Sequence, residues 1–198
     1  NMSNVAILNF LGLVNIELGE TEQAKEQFKT LLSVMPNHFE ALYYLAYIYY
    51  KEKKYNECIS EALKSLSALN KKIETYMIIA ESYMNLENKE ECLKYYILGE
   101  KECKITYYFL ISWGLSLQHF EFYEESKEKF QQAIEMDEKN DLGFVSLGVS
   151  YFKLKDYEKA ISLFNKTLEL NPNNISARDS LGQIFLEKRT TDRVHRSH

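Results

Sequence analysis

Proline and arginine are both scarce in this 198-residue chain, which has two prolines and four arginines. With only seven glycines as well, few positions are left to break helices or build long loops. The strand-like alternation of apolar and polar residues is missing too, which argues against a sheet. No apolar run approaches the roughly 20 residues that span a bilayer. No basic start followed by an apolar stretch and a small-residue cleavage site appears, so no secretory signal is read and a cytoplasmic setting is expected. A targeting region upstream of Val5 is left open. The net charge is −5, with lysines and glutamates interspersed, and this argues against nucleic-acid binding, which needs clustered cations. His38, His119, His195 and His198 show no metal-ligand spacing with carboxylates or cysteines. There is no phosphate-binding glycine loop and no nucleophile elbow, so neither catalysis, metal nor cofactor is expected.

What is present is a period. Gly12, Ala46, Ala80, Gly114, Gly148 and Gly182 recur every 34 residues, and Leu11, Leu45, Ile79, Trp113, Leu147 and Leu181 recur one position earlier. A period of this length marks a repeat array in which each unit buries its apolar face against its neighbours. The units run 5–38, 39–72, 73–106, 107–140 and 141–174, and a terminal helix is expected after these five pairs, over 175–188. Apolar positions 4, 7, 8 and 11 of each unit form one stripe of a helix, and positions 20, 24 and 27 form the facing stripe of a second. The small residues at positions 8 and 20 are expected to meet and let two antiparallel helices approach. Short polar turns lie between them at Gly19-Glu20, Lys53-Lys54, Asn88-Lys89 and Lys155-Asp156. Pro36 and Pro172 follow second helices, and Asn70-Lys71-Lys72 and Asp137 to Asn140 stand in for proline elsewhere. Cys58 and Cys92 share position 20 of successive units, about 8–10 Å apart on stacked helices. That exceeds the roughly 7 Å that a disulfide can bridge, so both are expected as reduced structural thiols.

This pattern resembles the tetratricopeptide repeat (TPR). Unit 5 carries Phe144, Leu147, Gly148, Tyr151, Ala160, Phe164 and Pro172 at the family's consensus places, and unit 1 carries Leu8, Leu11, Gly12, Ala24, Phe28 and Pro36. Units 2 to 4 match through Leu42, Leu45, Ala46 and Tyr49, through Tyr76, Ile79, Ala80 and Tyr83, and through Leu110, Trp113, Gly114 and Leu117. The resemblance implies an all-α, right-handed superhelical solenoid of antiparallel helix pairs, forming a single domain over 1–189. In it, a polar capping helix at 175–188 closes one end, and residues 190–198 read as a disordered or foreign tail.

The resemblance also implies a concave groove lined by positions 2, 5, 9 and 12 of each first helix. Here the partner-binding candidates are Asn9, Leu13, Tyr43, Tyr47, Tyr50, Met77, Glu81, Met84, Ile111, Leu115, Gln118, Val145, Val149 and Phe152. Tyrosines supply large contact area with a polar tip, and methionines supply adaptable packing. The expected partner is another protein, through an apolar peptide or helix carrying a basic residue near Glu74 and Glu81. The clamp by which some relatives hold a chaperone's C-terminal carboxylate needs lysines and asparagines. This chain offers Asn9, Leu13, Tyr44, Glu74 and Ile78 there, or Tyr43, Tyr47, Ile78, Tyr108 and Ser112 one unit on, which argues against that ligand. Two alternatives remain open: a segment of a longer or self-associating scaffold, and a regulatory domain of a larger multidomain protein.

Overall fold

The computed structural model describes residues 1–67 and 71–196, and their regular structure is all helical. The first compact unit, residues 1–105, holds α1 (Met2–Glu17), α2 (Thr21–Val34), α3 (Phe39–Lys51), α4 (Tyr55–Ser67), α5 (Ile73–Asn85) and α6 (Lys89–Glu102). The second, residues 106–198, holds α7 (Tyr107–His119), α8 (Tyr123–Met136), α9 (Asp141–Lys153), α10 (Tyr157–Leu170) and α11 (Ile175–Arg196). The expected all-α succession of antiparallel helix pairs is therefore what the chain forms, as three pairs in one unit and two pairs plus α11 in the other.

The turn inside every pair has one conformation. Gly19, Lys53, Glu87, Glu121 and Lys155, all at position 15 of their units, have φ of 76°, 60°, 58°, 64° and 62°. This left-handed residue lets the next backbone N–H reach back and close the helix end. Glu20 N donates to Asn15 O at 2.8 Å, Lys54 N to Tyr49 O at 2.8 Å and Phe122 N to Leu117 O at 2.8 Å. Only the first turn uses glycine, the residue that adopts this geometry without steric cost. In the third pair the left-handed residue is Glu87, one place before the expected Asn88-Lys89, and Asn88 instead caps α6 by accepting from Glu91 N at 3.2 Å.

Close approach within a pair depends on position 24 as well as on positions 8 and 20. A Cβ on Gly12 would sit 2.5 Å from Phe28 Cζ, one on Gly114 2.4 Å from Phe130 Cε1, and one on Gly148 2.7 Å from Phe164 Cε1. All three rings are fully buried. Where position 8 is alanine, at Ala46 and Ala80, position 24 is Ala62 or Tyr96. The small residue at position 20 is fully buried in every pair, at Ala24, Cys58, Cys92, Ser126 and Ala160, and Ala46 shares a core cluster with Cys58 and Ala62. In three pairs an aromatic knob in a glycine notch adds to this packing, because a flat ring fills space that small side chains leave empty.

In the first unit, Val5, Ala24, Phe28, Leu31, Ala41, Leu45 and Ile48 form one core cluster and Ala46, Cys58, Ala62, Ile78 and Ile79 another. Charge reinforces the α2–α3 packing: Lys25 Nζ lies 2.5 Å from Glu52 Oε1. In the second unit, Val145, Ala160, Phe164, Ala177 and Ile184 join α9, α10 and α11. Tyr107 Oη accepts from Gly143 N at 2.9 Å and so fixes α7 to the start of α9. Asp141 accepts from Asn171 Nδ2 and Asn174 Nδ2, both at 2.9 Å, which anchors the loop ahead of α11.

The terminal helices depart from the regular units. Ile7, Phe10 and Leu11 of α1 and Leu18 just after it are exposed, although Leu45, Ile79 and Leu147 at the same position as Leu11 are buried. α11 continues to Arg196, past the expected end at 188, with Thr190 Oγ1 donating to Leu186 O and Thr191 Oγ1 to Glu187 O along the way. No proline or glycine follows Gly182 to stop it. Ser197 and His198 lie outside the described residues, as does the Asn70 part of the second junction. Nor is α11 wholly polar on its outer side, as a cap would be, because Phe185 and Leu186 are 55% and 65% exposed.

Candidate interaction faces

The first helices α3, α5, α7 and α9 start at position 1 of their repeats and α1 starts three residues earlier, so in each of them positions 5, 9 and 12 fall one turn apart along one face. In the first unit this face is aromatic and acidic. Tyr43, Tyr47 and Tyr50 of α3 are half-buried and pack against the cluster around Ala46, Cys58 and Ile78. Their rings continue into neighbours: Tyr43 meets Tyr44 edge-on at 5.2 Å, and Tyr50 meets Tyr55 at 5.8 Å. Lys51 Nζ lies 5.6 Å from the centroid of Tyr47.

Carboxylates reach this face from the adjoining helices. The Tyr50 hydroxyl donates to the Glu81 carboxylate, and burial, together with that carboxylate, holds the phenol well above its usual range. Tyr43 is raised in the same way, by burial first and by the charge of Glu74 second. Asn9 Nδ2 donates to Glu40 Oε2 at 3.0 Å, which leaves Asn9 Oδ1 buried without a partner. Near the N-terminal ends of α3 and α5, Phe39, Glu40, Tyr43, Tyr44, Lys72 and Glu74 line a cavity of about 470 Å³. Leu13, Met77 and Met84 are half-buried beside these groups. All eight first-unit candidates, Asn9 to Met84, thus retain some exposure. Glu40, Glu74 and Lys72 belong with them; the signal for the two glutamates was their shared position 2.

The second unit keeps fewer of its candidates at the surface. Ile111 and Val145 are buried, at 3% and 6% exposure, so they belong to the core rather than to a binding face. Gln118 is occupied internally, with Nε2 donating to Ser146 O at 2.9 Å and to Ser150 Oγ at 2.7 Å, and Ser150 Oγ lies 2.7 Å from Ser126 Oγ. The cause is the small residue set on α9: Gly143, Ser146 and Ser150 let α7 approach closely enough to draw these side chains in. Leu115, 43% exposed, remains accessible together with half-buried Val149 and Phe152, and Tyr108 adds an exposed aromatic at position 2. Among the described residues, no three His, Cys, Asp or Glu side chains gather as metal ligands, and no helix is long and apolar enough to cross a membrane.

Residues 143–174, the helix pair with the Gly148–Phe164 notch, match the family model described as Tetratricopeptide repeat. The solved structure of YrrB, titled a TPR protein with an unusual peptide-binding site, superposes with a TM-score of 0.71 at 19% identity, covering 86% of this chain and 88% of that one. The chain is a tetratricopeptide-repeat protein. Residues 17–97 of this TPR chain match a second family model, Anaphase-promoting complex, cyclosome, subunit 3. Anaphase-promoting complex subunit 3 of Schizosaccharomyces pombe is 23% identical over 179 residues, covering 90% of the chain and 27% of that protein. Human peptidyl-prolyl cis-trans isomerase FKBP4 is 29% identical over 135 residues, covering 68% of the chain and 25% of that protein. The TPR chain thus spans about a quarter of the length of the curated relatives it matches. TPR proteins mediate protein–protein interaction and scaffolding, and the comparisons support that general role here.

Proposed function

We propose that the tyrosine- and glutamate-lined face of α1, α3 and α5 binds a segment of another protein that carries apolar side chains and a lysine or arginine. The observation that carries this reading is the joined pair Tyr50–Glu81 beside Tyr43 and Tyr47. Half-buried rings offer contact area at low entropic cost, and the carboxylates of Glu40, Glu74 and Glu81 give the face an acidic character that complements a cation. Asn9 Oδ1, buried and unpartnered, gives an added acceptor for a donor from the ligand. Selection from a displayed random peptide library tests it. Enriched sequences should combine apolar residues with Lys or Arg, and Tyr47→Ala should abolish their capture while leaving the helical signal intact. Enrichment of acidic sequences, or capture indifferent to Tyr47, would refute the proposal. Leu115→Ala, combined with Tyr47→Ala, asks whether the exposed face of the second unit takes part.

A second reading, a piece of a large assembly scaffold, is favoured by the subunit 3 match over residues 17–97 and by the quarter-length coverage of the relatives. On that reading the same face packs against a neighbouring subunit rather than a mobile peptide. Co-expression with candidate subunits, followed by sedimentation, separates the two.

A further inference from the structure

Arg178, Gly182, Phe185, Arg189 and Arg193 follow one another at spacings of four, three, four and four along α11, so they share one stripe. The first three stand at repeat positions 4, 8 and 11. In the preceding pairs those positions turn toward the pair's own second helix. Gly12, Gly114 and Gly148 receive Phe28, Phe130 and Phe164. Asn15 Nδ2 donates to Gln27 Oε1 at 2.7 Å, and Tyr83 stacks on Tyr95 at 5.7 Å. On α11 nothing lies within 4 Å of where a Cβ on Gly182 would stand, and Phe185 beside it is exposed. The notch that elsewhere seats a phenylalanine is open.

Charge surrounds it asymmetrically. The chain's four arginines all fall on α11, and three of them lie along this stripe, one before the notch and two after. Arg178 Nη2 donates to Pro172 O, while Glu187, an acid on the same helix, is taken by the Tyr157 hydroxyl. Arginine pairs with carboxylates through a planar fork, so the stripe complements an acidic surface.

We propose that this stripe docks an acidic amphipathic helix of another protein, laid antiparallel to α11. Its phenylalanine seats over Gly182 and its carboxylates meet Arg178 and Arg189, on either side of the notch. The knob is specified by what fills the equivalent notches: a phenylalanine four residues after a small residue, as in Ala24–Phe28, Ser126–Phe130 and Ala160–Phe164. The site is separate from the tyrosine face of the first unit and does not depend on it.

The probe is a labelled peptide with the sequence of residues 123–136, YEESKEKFQQAIEM, which carries the Ser126–Phe130 spacing and the acids Glu124 and Glu125. It is titrated into the whole chain by fluorescence anisotropy, with amide chemical shifts to locate the contact. Binding should perturb Gly182 and Phe185. Gly182→Leu in the protein and Phe130→Ala in the peptide should each weaken it by about tenfold or more, as loss of an anchoring aromatic does. Arg189→Glu should weaken it further in low salt than in high salt. Gly182 lies in open space, so Gly182→Leu should leave the circular dichroism spectrum unchanged, and Tyr47→Ala should leave peptide affinity unchanged. The proposal is overturned if the peptide fails to bind, if it binds Gly182→Leu equally, or if the shifts map to α7. Gly182-dependent self-association in sedimentation would overturn it too, since it would make a second copy the occupant.

Discussion

One substitution made at two equivalent positions should act with opposite sign. Gly114 and Gly182 both stand at repeat position 8, yet an added methyl meets Phe130 in the first case and open space in the second. At Gly114 the new carbon would lie 2.4, 2.7 and 2.8 Å from three ring atoms of a fully buried side chain, so the ring or a helix must move. Overpacking of this kind costs about 1–3 kcal/mol, and the tightness of the contact places it near the top of that range. Alanine's better helix propensity returns about 1 kcal/mol, which leaves a net loss of about 2 kcal/mol for Gly114→Ala. At Gly182 only the propensity gain operates, so Gly182→Ala should stabilise α11 by about 0.5–1 kcal/mol. Urea unfolding followed by far-ultraviolet circular dichroism measures the first. Amide hydrogen exchange along α11 measures the second, because a terminal repeat helix can open without the rest. A neutral or stabilising Gly114→Ala would refute the claim that these glycines are there to seat an aromatic ring.

Three further outcomes follow from the geometry. Lys155, held at φ 62°, should gain about 0.5 kcal/mol when changed to Gly, while Gly19→Ala, at φ 76°, should lose about 1 kcal/mol; thermal melts of the two variants check the pair. Cys58 is fully buried, and burial pushes its thiol up to about 11, against the smaller opposing effect of the hydroxyl that Ser82 donates at 3.3 Å. In a native thiol titration near neutral pH, Cys103 should therefore react first, and Cys58 and Cys92 only on unfolding. Burial pushes Asp141 upward, but the amides of Asn174 and Asn171 outweigh it and hold the carboxyl below its ordinary value. A depressed folded-state pKa stabilises above the unfolded pKa and is lost as pH falls through the folded one. Asp141→Asn should accordingly flatten acid destabilisation measured by urea midpoints across the carboxylate range, and an unchanged acid limb would count against that role.

Much of this protein was legible before any coordinates, for a definite reason. A repeat fixes position as well as composition, so the apolar stripes that predict helix pairs recur with the same spacing and the same turn. The tyrosines of α3 could be placed on a face by counting alone. Burial along that face could not. Ile111 and Gln118 occupy the same positions as the accessible Tyr43 and Tyr50, yet the first is core and the second is bonded into α9. The difference lies in their neighbours, because Gly143 and Ser146 draw the next helix close where Thr75 and Ile78 stand in the other unit, while Ser150 has the same residue type, Ser82, as its counterpart. Such spacing is a property of two helices together and leaves little mark on either sequence.

The sequence by itself determined the helices, their pairing and the family, because periodic burial needs only the order of residues along the chain. The tertiary structure decided which members of a periodic set are still available. Gly12, Gly114, Gly148 and Gly182 are one position read four times, and three of them are filled by a phenylalanine while the fourth is open. That distinction arises when a second helix packs, or does not pack, against the first, since a notch is defined by the atoms across from it.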